Sequence, residues 1–131
     1  MNETVPTLFA VAIGGALGAM LRFRLRYVTQ KAKIPMGTLP GNILASFILG
    51  LVTALFADAF FATQSWQAWF QPFLTIGFAG SLSTFSSLSL EMQEITKKRN
   101  LLTSVGYASF TFGLGMAVFA IGLFLGSSTP I

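Results

Sequence analysis

The sequence predicts an all-α membrane protein of four transmembrane helices with a break in the third. Three observations predict it. Of 131 residues, 53% are hydrophobic and only 9% charged, whereas roughly a quarter of the residues in an ordinary soluble domain are charged. Apolar runs long enough to cross a hydrocarbon core of about 30 Å, which takes roughly 20 helical residues, can be placed four times: Val5 to Leu21, Leu39 to Phe61, Trp66 to Leu90 and Leu101 to Leu125. The third run carries GFAGSLSTFSSLSLE at residues 77–91, with two glycines, six serines and threonines and a glutamate. The spans leave connections too short for a separate soluble domain, so residues 1–131 read as one domain in the lipid bilayer.

Composition also excludes chemistry. Without cysteine or histidine, the chain offers no disulfide, thiolate nucleophile, imidazole metal site or histidine acid/base. No nucleophile with a base, metal cluster or phosphate loop is present, so the sequence does not read as an enzyme. The net charge of +4 comes from two short clusters, Arg22 to Lys33 and Lys97 to Arg99. Flanking hydrophobic spans, they read as topology signals and not as a nucleic-acid surface. All eight Lys and Arg fall on one side, with Glu3 and Asp58 on the other. The positive-inside rule then makes both basic loops cytoplasmic and puts both termini outside.

The first span follows Glu3 without a basic leader region or a small-residue cleavage site, so it reads as a retained helix and not as a signal peptide. Its Gly14 and Gly18 form a G-x-x-x-G pair suited to close helix packing. Arg22 closes the span, either snorkelling to the interface or standing as a fixed positive charge at the mouth of an anion path. In the second span Thr38, Asn42, Ser46 and Gly50 recur every four residues and form a polar stripe. The Asn42 amide must be satisfied there, by another helix or by a ligand. Pro40 sits in the first turn, where it is tolerated.

In the third span Gly77, Gly80 and the run Ser81 to Ser87 weaken helix propensity at membrane depth, predicting a break. Broken backbone survives there only when buried in protein or lining a cavity, and it commonly marks an ion site. Glu91 reads as an interfacial carboxylate paired with a nearby basic group, with a proton relay as the alternative. In the fourth span Tyr107, Thr111 and Gly115 repeat the four-residue spacing, forming a stripe that either faces the first across a polar path or acts as packing glue. Gly122 and Gly126 read as close-contact residues.

Taken together, GGALGAMLRF, GTLPGN, GFAGSLSTFSSLSLE and the Tyr107, Thr111, Gly115 series resemble the small microbial fluoride channels of the Fluc or CrcB family. The match runs across the whole chain. The resemblance implies a dual-topology dimer, in which two four-helix subunits pack antiparallel with two fluoride pores along their interface. It implies a multi-pass protein of the bacterial cell membrane that expels fluoride. A central structural Na+ is expected on the main-chain carbonyls of Gly80 and Ser83, oxygen ligands of the kind hard cations prefer. The fluoride path is expected to include Asn42, Phe85, Tyr107 and Thr111, with Thr38 and Ser86 alongside and Arg22 toward the aqueous vestibule.

Two features depart from the family pattern. A second pore phenylalanine is expected three residues after Phe85, where this chain has Leu88. The implied consequence is slower conduction or a pore using one ring. The one-sided basic charge also disagrees with insertion in both orientations. Self-pairing as a homodimer is the favoured expectation, and a heterodimer with an oppositely biased paralogue the alternative. A non-conducting structural subunit and a small multidrug-resistance exporter are the rival readings. The exporter lacks its required carboxylate, because the first span contains none.

Overall fold

A computed structural model describes residues 4–33, 35–57 and 65–128. Among them every regular element is helical. Helix α1, Thr4–Leu25, continues the first apolar run past Leu21 and carries Arg22 and Arg24 in its last turn, where cations suit the negative end of the helix dipole. A 3-10 turn, Arg26–Thr29, follows. Helix α2, Leu39–Leu55, starts with Pro40 in its first turn, where the missing N–H costs nothing.

At 17 residues, α2 ends earlier than the expected Phe61. Its length of about 25 Å falls short of the hydrocarbon core. Phe56 caps the helix and packs its ring against Trp66 and Phe70 at centroid distances of 6.1 and 6.2 Å. Asp58 and the rest of the expected second span lie outside the described residues, as does Glu3.

The third span is built from four pieces. Helix α3, Ser65–Pro72, passes into a π-helical segment, Phe73–Ala79, then into α4, Gly80–Leu82, before the backbone leaves the helix. Helix α5, Phe85–Lys98, resumes beyond it. Pro72 has no N–H to donate to the preceding turn, and the wider π turn begins immediately after it. The long final helix, α6, Leu101–Ser127, is capped by Asn100, whose Oδ1 accepts from the Thr103 N–H at 2.7 Å. Three helical segments are long and apolar enough to cross a membrane, Thr4–Thr29, Ala68–Lys98 and Leu101–Ser127, with Leu39–Leu55 as a shorter apolar helix.

The packing is that of a membrane bundle. Large apolar side chains such as Phe9, Ile13, Phe110 and Phe124 face outward, while the contacts between helices are made by small residues. A Cβ at Gly14 would meet the Phe73 carbonyl oxygen, and one at Gly18 the Phe78 carbonyl oxygen and Ser81 Oγ. Across the α2–α6 pair, Gly50 lies against the Phe119 carbonyl oxygen, Gly122 against that of Phe47 and Gly126 against that of Leu51. Backbone therefore rests on backbone at both seams. Two small cores remain. One joins Ala45, Ala79 and Leu82, and the other Leu88, Ile95 and Tyr107.

Candidate functional site: a clamped helix break and the two cavities beside it

The break falls at Ser83 and Thr84, which are extended at φ −84°, ψ 152° and φ −155°, ψ 124°. It is held from α2. Asn42 Oδ1 accepts from the Thr84 N–H at 2.8 Å, and Asn42 Nδ2 donates to the Thr84 carbonyl at 3.4 Å. Ser46 Oγ donates to the Asn42 carbonyl at 2.9 Å, tying the stripe to itself. Thr84 then caps α5, its Oγ1 accepting from the Ser87 N–H at 3.3 Å and lying 3.2 Å from Ser86 Oγ.

These bonds have a consequence for the carbonyls. In an uninterrupted helix the Thr84 N–H would donate to Gly80 and the Ser87 N–H to Ser83. Both amides are instead taken by side-chain oxygens. The Gly80 and Ser83 carbonyls are thus released from the helical ladder. The glycines themselves do not make the break. Gly80 is helical at φ −63°, ψ −38°, and Gly77 lies inside the π segment, where a Cβ would meet the Val11 carbonyl oxygen at 2.6 Å.

A second polar centre lies nearer the basic end. Glu91 Oε1 accepts from the Thr38 N–H at 2.8 Å, and Oε2 accepts from Thr38 Oγ1 at 2.6 Å and from the Tyr107 hydroxyl at 2.8 Å. Thr111 Oγ1 donates to the Tyr107 carbonyl at 2.9 Å. The expected basic partner of Glu91 is absent: among the described residues no Lys or Arg nitrogen pairs with it. Neutral donors of α2 and α6 satisfy the carboxylate instead, and three such bonds suffice for a charged acceptor.

Two cavities flank this framework. A polar vestibule of about 510 Å³ is lined by Arg22, Arg26, Lys33, Thr84, Ser87, Glu91, Glu94 and Lys98, among others. Its lining brings Arg22 from α1 and Lys98 from α5 to one end of the bundle. A largely apolar groove of about 560 Å³ runs past Asn42, Ser46, Ser83, Phe85, Thr111, Phe112 and Gly115. Thr84 lines both, so the two spaces adjoin at the break.

The structure brings the two four-residue stripes together. Ser46 Oγ lies 3.3 Å from where a Gly115 Cβ would stand, and Thr38 and Tyr107 meet on Glu91. Phe85 is 70% exposed in the groove, and Leu88, which lines it too, is 3% exposed and packs with Ile95 and Tyr107. Ser86 is exposed beside Thr84. Sequence reasoning missed Thr84 as the partner of Asn42. The available signal was the lone amide of the second span, which required a donor and an acceptor from another helix.

Long apolar helices, an inner helix break and polar side chains clamping it define the class as a multi-pass membrane protein, and freed backbone at membrane depth commonly marks an ion site. A family model described as "CrcB-like protein, Camphor Resistance (CrcB)" matches residues 9–123. The chain is also 35% identical over 116 residues to "Fluoride-specific ion channel FluC 1" of Staphylococcus aureus, covering 88% of this chain and 93% of that protein. It is 34% identical to "Fluoride-specific ion channel FluC" of Ignicoccus hospitalis (86% and 88% covered), and 32% identical to the protein of that name from Bordetella pertussis (87% and 86% covered). The chain belongs to the CrcB (FluC) family, whose members named here are ion channels and not enzymes.

Proposed function

We propose that the chain is a subunit of a fluoride-selective channel that releases fluoride from the cytoplasm, assembled as an antiparallel pair with a pore along each side of the interface. The observation that carries this is the groove beside the break. It is open on the surface of a single subunit, so a second copy is needed to close it into a pore. Its wall carries Asn42, Phe85 and Thr111, and it joins the basic vestibule at Thr84.

The chemistry fits a small anion. Fluoride loses tightly held water on entering a narrow passage and needs electropositive groups in exchange. Arg22 and the other vestibule cations raise its local concentration. Beyond Thr84, the Asn42 amide keeps one N–H after its bond to the Thr84 carbonyl, and the exposed Phe85 ring presents its positive edge. The N-terminus of α5 opens at the same place, with the Phe85 and Ser86 amides free of intrahelical acceptors, so the positive end of the helix dipole faces the path. Thr38, Glu91, Tyr107 and Thr111 fix the wall between vestibule and groove.

The released Gly80 and Ser83 carbonyls fit the structural Na+ of the resemblance. They are neutral oxygen donors without their helical amides, the ligand type that hard cations take. When bound, the ion would tie two oppositely oriented copies together at their broken helices.

Fluoride efflux from liposomes containing this protein alone, with chloride-loaded liposomes as control, tests the proposal. Rapid efflux that excludes chloride is expected. The eight-to-none distribution of basic residues favours a second reading, in which the partner is a paralogue of opposite bias. Efflux that appears only when such a partner is added would decide for it.

A further inference from the structure

We propose that Phe112 of α6 is a second anion-facing ring of the pore and a determinant of fluoride permeation; this rests on the channel reading above. Ser46 Oγ donates to the Asn42 carbonyl and Thr111 Oγ1 to the Tyr107 carbonyl, and a hydroxyl has only one hydrogen to give. Asn42 spends one of its two N–H groups on the Thr84 carbonyl. A dehydrated anion therefore meets few polar donors on this wall. Beyond the second Asn42 N–H and the first amides of α5, the remaining electropositive surface belongs to the edges of aromatic rings.

The register of α5 against α6 identifies the ring at the right level. Ser104 Oγ donates to the Met92 carbonyl at 2.9 Å, and the Tyr107 hydroxyl donates to Glu91 at 2.8 Å. As α6 advances, α5 is met at lower numbers, so one further turn brings residues 111–112 to the level of residues 87–88. At that level α5 offers no ring to the groove, because the residue that lines it there is Leu88, packed with Ile95 and Tyr107. Phe112 is 57% exposed and lines the groove with Phe85. Two phenyl rings from different helices therefore line the groove, one from α5 and one from α6.

Fluoride and chloride efflux from liposomes tests this with four proteins beside the unsubstituted one. Phe112→Leu removes the edge and is expected to slow fluoride efflux about five- to tenfold, the size of one aromatic interaction, without altering the oligomeric state. Phe112→Tyr keeps the edge and is expected to stay within about twofold. Pentafluorophenylalanine at position 112 keeps the ring but reverses the sign of its edge, and is expected to slow efflux as much as leucine does. Phe110→Leu changes a 54% exposed ring that does not line the groove and is expected to leave efflux unchanged. Wild-type efflux from Phe112→Leu, or equal losses with leucine and tyrosine but none with the fluorinated ring, overturns the proposal in favour of a packing role. Absence of fluoride efflux from the unsubstituted protein overturns the channel reading itself, and this inference with it.

Discussion

Asn42 grips Thr84 by both ends of its main chain, accepting from its N–H at 2.8 Å and donating to its carbonyl at 3.4 Å. The break in the third span is therefore a tertiary device. An extended residue at membrane depth needs partners for both backbone groups, and a primary amide is the side chain that presents an acceptor and a donor side by side.

Replacing Asn42 should separate folding from permeation. Asn42→Ala leaves the Thr84 groups unpaired and is expected to cost about 1–3 kcal/mol, read as a lowered unfolding midpoint in detergent, with fluoride flux lost. Asn42→Asp retains the acceptor for the Thr84 N–H, so it should be more stable than the alanine variant. It should nevertheless conduct as poorly, because it places a negative charge beside the anion path. Unchanged stability in Asn42→Ala would mean that the break holds without the clamp.

Glu91 gathers α2 and α6 through two hydroxyls on the same oxygen. Thr38→Val and Tyr107→Phe each remove one bond to a carboxylate, and each is expected to cost about 1.5–3 kcal/mol. The double variant leaves only the Thr38 N–H as donor to the carboxylate. Its loss should exceed the sum of the single losses by at least about 0.5 kcal/mol, the coupling expected of residues sharing one acceptor. Additive losses in a double-mutant cycle would show that the two hydroxyls act independently.

Features carried by spacing were legible in the sequence. Gly14 and Gly18 of α1 and Gly122 and Gly126 of α6 mark backbone contacts because only the absence of a Cβ allows them, and the two four-residue stripes meet because each occupies one helix face. Features made by a partner helix were not legible. Ser83 and Thr84 differ little in propensity from the serines around them; the bond from Asn42 selects them. Pro72 was the unread sign of the π segment. Glu91 suggested a basic partner because charge is visible in a sequence, whereas the Thr38 N–H is not. Leu88 stands where the family pattern expects a pore ring and lines the groove, with its side chain packed against Ile95 and Tyr107. Leu88→Phe is accordingly expected to lose about 1–3 kcal/mol by overpacking, measured as a lower unfolding midpoint.

The glycines divide into two groups. Gly50→Ala drives a Cβ into the Phe119 carbonyl oxygen, and Gly122→Ala drives one to within 2.8 Å of the Leu51 nitrogen as well as onto the Phe47 carbonyl oxygen. Rigid backbone on the far side leaves no cheap way to yield, so both should lose folded protein on size exclusion. Gly113 has open space around its Cβ position. Gly113→Ala should therefore be neutral or gain up to about 1 kcal/mol from helix propensity. A loss of folded protein in Gly113→Ala would show that this face is covered in the assembled protein.

Sodium dependence tests the cation site proposed at the released carbonyls. With the Thr84 and Ser87 amides held by Asn42 and by Thr84 Oγ1, Gly80 and Ser83 can each lend an oxygen to a cation between two copies. A ligand that binds only the folded pair raises its stability by about 1.4 kcal/mol for each tenfold rise in concentration above the dissociation constant. Exchanging Na+ for a bulky organic cation is therefore expected to lower the unfolding midpoint and the dimer fraction. In Asn42→Ala the break is no longer held from α2 and the carbonyls lose their fixed placement, so the remaining stability should depend less on Na+. A midpoint insensitive to Na+ in the unsubstituted protein, with fluoride flux intact, would remove the cation from the assembly and leave the released carbonyls to water or to the partner's own donors.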